Sequence, residues 1–371
     1  MITQLNIKNF KSHSNTSLSL SNLNILTGLN GVGKSSAFQA LLLLRQSYLK
    51  NTLHEGIDLN EPLCNIGLVG DALYQYATDE VIEFGLEIDQ QQNLLWQFQS
   101  DELDSTFLKF ATQPENGDLN QNSLFNRHFK YLSAARLAPQ ESYQKNTYAV
   151  EKERKISLKQ GQCELIAHFL HYYGMKEKIK FENLKHSQSQ FDDLSSQTDA
   201  WCGEISPHIH IIVKENQTHF EIKYRFDVEN NFPTNEFIAE NVGFGISYAL
   251  PIIVAVLSAE KDSILLIENP ESHLHPQGQA KLAELMALAA QNGVQIFIET
   301  HSDHIINGTL VAVKNREIAS DNVCIYHFDR DETLHATQSI KVPVLEKGRI
   351  IHPPPGFFDQ LKKDIKKLMG F

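Results

Sequence analysis

Eight residues, Gly28-Leu29-Asn30-Gly31-Val32-Gly33-Lys34-Ser35, follow the pattern G-x-x-x-x-G-K-[ST], with which a backbone loop takes hold of phosphate. The glycines let the chain curl so that successive N–H groups and the positive end of a following helix face an anion, where side chains carrying a Cβ would obstruct. On this reading Asn30, Gly31, Val32, Gly33, Lys34, Ser35 and Ser36 are the nucleotide-binding set. The Lys34 ammonium reaches the β- and γ-phosphates, and the Ser35 hydroxyl ligates Mg²⁺. Such a loop must join a strand to a helix. Leu23 and Ile25 alternate with polar neighbours as a short strand does, and Ala37 to Arg45 has the pattern of a helix.

A second group of chemical residues lies far along the chain. Ile264 to Ile267 is a continuous apolar run ending in Glu268, followed by Asn269-Pro270-Glu271-Ser272-His273-Leu274-His275-Pro276. Continuous apolarity suits a parallel strand buried on both faces, and a carboxylate at its C-terminal edge emerges where ligands of such sheets collect. Glu268 is therefore the expected Walker B carboxylate, holding Mg²⁺ together with Ser35. Leu282, Leu285, Met286 and Ala289 mark one face of a helix, and Val294 to Ile298 a further strand. That strand ends in Glu299-Thr300-His301, which places His301 to sense a γ-phosphate. Upstream, Asn241-Val242-Gly243-Phe244-Gly245 opens an apolar segment, so Gly243 and Gly245 offer exposed N–H groups near a helix start.

The frame for these motifs is an α/β chain with a mixed sheet and flanking helices. A chain of 371 residues with 42% hydrophobic content buries a full core. Residues 1–100 form a first lobe with the phosphate loop and an antiparallel hairpin, Ile82 to Ile88 with Leu94 to Phe98. Residues 101–233 form an α+β insertion, with a helix over Cys163 to Tyr173 and a hairpin of His208 to Val213 and His219 to Phe226. Residues 234–330 complete the nucleotide-binding lobe, and 331–371 cap it. Polar stretches over Gln113 to Asn122 and Lys185 to Ser196 are expected loops, and without a long heptad tract no coiled-coil arm is expected.

The formal charge of −12 argues against a surface that coats nucleic acid broadly, while leaving room for a local basic groove. Four cysteines without a C-x-x-C pair fit reduced thiols in a cytoplasmic protein rather than a disulfide framework or zinc site. Neither a secretory leader nor an apolar run of membrane-spanning length is expected.

The order of phosphate loop, glycine-rich signature, Walker B strand and switch histidine resembles the ATP-binding-cassette type of ATPase head. The opening Asn9-Phe10-Lys11-Ser12 and Leu23 to Ser36 are similar to the start of SMC, RecF and OLD-type ATPases. Ile267 to Pro276 matches the I-E-N-P-E-x-H-L-H-P hallmark of prokaryotic OLD-like AAA ATPases, a group with relatives among antiphage defence ATPases such as Septu. The similarity extends through Tyr131 to Arg136, His301 to Gly308 and Gly356 to Gln360. The resemblance implies ATP with Mg²⁺ as cofactors and a homodimer or higher even-numbered assembly. In it, Asn241, Gly243 and Gly245 of one subunit close over the γ-phosphate bound by the other. It also implies a separately encoded effector, such as a nuclease.

One position departs from the usual cassette pattern. After the Walker B carboxylate a glutamate normally positions the attacking water, and here Asn269 stands in its place. An amide is no general base, so the carboxylate expected to assist slow hydrolysis is Glu271, with Asn269 orienting water. Two alternatives stay open: an ATP-stabilised scaffold with negligible hydrolysis, and a RecF-like DNA-repair head. His273 with His275, and His208 with His210, have metal-ligand spacing but alternate as loop and surface-strand residues do. Asp329-Arg330-Asp331 reads as a polar turn, not a nuclease centre. In the tail, Phe357, Phe358, Leu361, Ile365, Leu368 and Met369 are expected on one side of a short helix and four lysines on the other.

Overall fold

The computed structural model describes residues 1–99, 102–112, 118–228 and 232–369. At its centre is a six-stranded sheet with the spatial order Thr337–Val342, Val323–Arg330, Leu23–Gly28, Gln295–Glu299, Ile264–Glu268, Phe129–Leu132. Neighbours run parallel except for Thr337–Val342, which pairs antiparallel at one edge. Alternate residues of the inner strands enter two different cores. Ile25, Leu265, Ile267, Ile296 and Ile298 face one, and Leu26, Leu266, Phe297 and Phe328 face the other. This two-sided burial explains why those strands are continuously apolar.

The first core is covered by the helices Phe244–Leu257, Pro276–Gln291 and Asp303–Asn315. The second is covered by the loop helix Lys34–Leu49 and by an antiparallel sheet ordered His13–Ser19, Ile2–Phe10, Val81–Ile88, Gln92–Gln99, Phe107–Thr112, Gly56–Asp58. Helices on the sheet and strands from distant parts of the chain agree with the expected mixed α/β head, and among the described residues there is no long coiled coil.

Several expected boundaries move. The antiparallel sheet runs past residue 100 to Phe107–Thr112, because that strand pairs with Gln92–Gln99. Phe129–Leu132, expected within the insertion, is an edge strand of the central sheet, in register with Ile264–Glu268. Thr337–Val342, expected in the cap, closes the opposite edge. The insertion has its hairpin, Ile209–Glu215 with His219–Phe226. Its Trp201, Phe220 and Tyr224 nevertheless join the same core as the central helices, so it packs as part of the head.

The expected loop at Lys185 to Ser196 ends in ordered structure, since Asp193 caps the helix Leu194–Gly203 through the Ser196 N–H. Of the expected loop at Gln113 to Asn122, residues 113–117 lie outside the described residues. The tail helix spans Gln360–Leu368, so Phe357 and Phe358 precede it, with Phe357 packed against His327. Ile365, Leu368 and Met369 are exposed. The side chains of Leu361 and Lys362 lie outside the described residues.

Candidate functional site

The phosphate loop leaves its strand at Gly28, where a Cβ would sit 2.2 Å from the Phe328 carbonyl oxygen and φ is +139°. Gly33 starts the loop helix at φ +105°, and a Cβ there would meet the Thr337 hydroxyl at 2.3 Å. Both positions thus require glycine. Neighbouring elements hold the loop from outside. His13 Nε2 lies 3.0 Å from the Gly33 carbonyl, Thr337 Oγ1 donates to the Val32 carbonyl, and Ser12 Oγ pairs with Thr337 Oγ1. Burial pushes the His13 imidazole down to about 4, so it is neutral at physiological pH. These supports come from the first antiparallel strands and from a sheet edge more than 300 residues away, which is why loop spacing alone did not reveal them.

Lys34 is buried, and its ammonium donates to the carbonyls of Gly28 and Leu29 at 3.0 and 2.7 Å. Burial holds it below its ordinary value, opposed by Glu299 and Glu271. The Ser35 hydroxyl donates to Glu299 Oε1 at 2.8 Å. A cavity of about 400 Å³ opens over the loop, walled by Asn30, Gly31, Ser36, Glu299 and three cations, Lys11, Lys34 and Arg330. Arg330, expected in a polar turn, instead continues the strand beside the loop strand and lines this cavity.

Glu268 and Glu299 end neighbouring parallel strands in register. The carboxylate bonded to Ser35 is Glu299, and not Glu268, the expected Mg²⁺ carboxylate. Glu268 is held on the other side: its Oε1 accepts from the Tyr131 hydroxyl at 2.9 Å and its Oε2 from the Ala134 N–H at 2.8 Å. The order of the strands accounts for the difference, since Gln295–Glu299 lies directly beside the loop strand and Ile264–Glu268 one strand further out. Glu299 Oε2 is buried without a hydrogen-bond partner. Burial, reinforced by the charge of Glu268, pushes the Glu299 carboxyl up to about 7. A hydroxyl and a buried, unpartnered carboxylate oxygen beside a phosphate loop fit a hard divalent cation such as Mg²⁺.

The turn after Glu268 is clasped by Arg136, which is 2% exposed. Its guanidinium donates to the carbonyls of Ser133, Glu268 and Asn269 at 2.7, 2.6 and 2.9 Å. Asn269 adopts φ +43°, a left-handed conformation that asparagine tolerates better than glutamate. Its N–H donates to the Glu299 carbonyl, which locks the two strand ends together. Glu271 accepts from the Thr300 hydroxyl at 2.7 Å and from the His301 N–H at 2.8 Å. The loops that carry Glu271 and His301 are thus brought together beside Lys34. His301 is exposed, and desolvation and the charge of Lys34 hold its imidazole below its ordinary value.

Asn241, Gly243 and Gly245 take no part in the walls of this cavity. They lie at the start of the helix Phe244–Leu257, where Asn241 is exposed and Gly243, at φ +94°, has open space within 4 Å of the position a Cβ would take. Gly245 packs against the hallmark turn, its Cβ position 2.7 Å from the His273 carbonyl. Of the histidine pairs with metal-ligand spacing, His210 is engaged by Asp199 and Asp227 at 3.0 and 2.8 Å, and His273 lies against Phe244 and Tyr248.

The sequence matches two families. Residues 23–307 match the AAA_21 family, described as "AAA domain, putative AbiEii toxin, Type IV TA system", and residues 318–368 match a protein family of unknown function, DUF3696. No curated protein matches the chain in sequence. In structure the chain is similar to an Smc head bound to the C-terminal winged-helix domain of ScpA, with a TM-score of 0.56 and 13% identity over 94% of this chain and 99% of that one. It is also similar to an Smc head with an extended coiled coil, bound to the C-terminal domain of ScpA, from Pyrococcus furiosus. There the TM-score is 0.53 and the identity 12%, over 99% of both chains. The chain belongs to the AAA_21 family and has the P-loop ATPase fold of an SMC head.

Proposed function

We propose that this chain binds ATP with Mg²⁺ and hydrolyses it slowly, and that ATP pairs two copies head to head. The observation that carries this reading is the arrangement of Lys34, Ser35 and Glu299 in one basic cavity. Lys34 occupies the loop's own carbonyls and is free to exchange them for phosphate oxygens. Ser35 and Glu299 would hold Mg²⁺, with Glu268 behind them. The cation neutralises charge on the β- and γ-phosphates, the electrostatic part of phosphoryl transfer. The chain's own contribution is positioning. Glu271 fixes the His301 loop through two hydrogen bonds and supplies a carboxylate two residues beyond the position of the missing glutamate, while the left-handed turn explains asparagine at 269.

The exposed start of the Phe244–Leu257 helix, which does not line the cavity of its own chain, supports Asn241, Gly243 and Gly245 acting on the nucleotide of a second copy. The ScpA complexes of similar heads support an additional protein partner. The hallmark resemblance favours a separately encoded effector, a nuclease in antiphage defence, in a cytoplasmic setting. Phosphate release from ATP, measured with and without Mg²⁺, tests the enzymatic reading. Turnover in the wild type and none in Lys34→Ala is expected. Equal rates in the two proteins would contradict it.

A further inference from the structure

A second and larger cavity, about 590 Å³, lies at the C-terminal end of the loop helix and shares no wall residue with the phosphate-loop cavity. Its other walls come from the edge strand Phe129–Leu132 and the segment 152–157. In a chain of net charge −12, six lysines and arginines line it against two carboxylates, Asp118 and Glu153. Part of that charge is already balanced. Arg154 is paired with Glu177, Lys155 with Glu153, and Lys130 is turned to the Ser258 hydroxyl. Arg45, Arg127 and Lys152 have no carboxylate within 4 Å among the described residues.

Arg45 is the informative member. It is 6% exposed, donates one bond to the Leu124 carbonyl, lies 5.4 Å over the Phe129 ring, and leaves its Nε buried without a partner. A buried guanidinium whose nearest opposite charge, Glu153, forms no ion pair with it is costly, and an anion in the cavity would offset that cost. Of the apolar wall residues, Phe125 and Ile156 are 2% exposed and lie behind the surface, which leaves Leu49 and Phe129 to meet one face of a flat ring. The volume lies within the usual range for small-molecule sites.

We propose that this cavity is a second, regulatory site for a nucleoside phosphate, with Arg45, Arg127 and Lys152 taking the phosphate and Leu49 and Phe129 meeting the base. Tyr131 links it to the first site. Its ring lines the cavity and its hydroxyl donates to Glu268 Oε1, so an occupant that shifts Tyr131 alters the Walker B carboxylate.

The test is calorimetric titration of the full chain with ADP, and separately with pyrophosphate and adenosine, in four proteins: wild type, Lys34→Ala, the exposed charge reversal Arg127→Glu with Lys152→Glu, and all three changes combined. Thermal melting of each variant checks its fold. The wild type is expected to bind two ADP per chain, and Lys34→Ala to retain one. The charge reversal should weaken that retained event at least tenfold without lowering the melting temperature, and pyrophosphate should compete for it better than adenosine. One ADP per wild-type chain that is lost in Lys34→Ala would overturn the proposal, as would a retained event in Lys34→Ala that the charge reversal leaves unchanged. Neither outcome bears on ATP hydrolysis at the phosphate loop, so this inference and the proposed function fail separately.

Discussion

Glu299 combines three properties that rarely coincide in a structural glutamate: a bond to the loop serine, a buried oxygen without a partner, and a carboxyl pushed up to about 7 from 4.5. Because the folded protein holds this proton more tightly than the unfolded chain does, stability contributed here is present below pH 4.5 and falls as pH rises towards 7. The interval corresponds to roughly 3 kcal/mol. In thermal melts without divalent cations, Glu299→Gln is expected to raise the melting temperature at pH 8 and leave it little changed at pH 4.5. An equal effect at both values would remove the assignment. At the neighbouring turn, Glu271→Gln is expected to lower turnover by about 100-fold, and Asn269→Ala far less. Steady-state rates check the ranking, and the reverse order would transfer the assisting role to Asn269. Lys34, Ser35, Glu268, Glu271 and His301 stood out in the sequence because motif spacing marks them. Glu299 and Arg136 did not, since strand order and register decide which carboxylate meets Ser35 and which guanidinium reaches the Walker B turn.

Elements meet at this site through backbone contacts that leave little room. Arg136 joins the segment after the edge strand Phe129–Leu132 to the turn after Ile264–Glu268 by three carbonyl bonds. Arg136→Ala is expected to destabilise the protein by about 3 kcal/mol, because the freed carbonyls lose a charged donor in a buried place. Denaturant titration measures it, and a change under about 1 kcal/mol would mean that the turn holds itself. The inner strands and the helices Pro276–Gln291 and Lys34–Leu49 were legible from apolar periodicity. Lobe boundaries were less so. Phe129–Leu132 is short and flanked by polar residues, and only its pairing with the Walker B strand makes it part of the central sheet. Likewise, Thr337–Val342 alternates weakly and is identified by its edge pairing with Val323–Arg330.

For the whole molecule, the fold of an SMC-type head places the loop and the Glu299 carboxylate in the wall of one cavity, with Glu268 one strand further out and the glycine-rich helix start outside that wall. The central proposal for this arrangement is an active site completed by a second copy. The most direct measurement is the solution mass of the wild type with Mg²⁺ and ATP, with ADP, and of Lys34→Ala and Gly243→Trp with ATP. A doubled mass is expected for the wild type with ATP only, and no doubling for either variant. A mass that ignores the nucleotide, or a Gly243→Trp protein that doubles like the wild type, would contradict the claim.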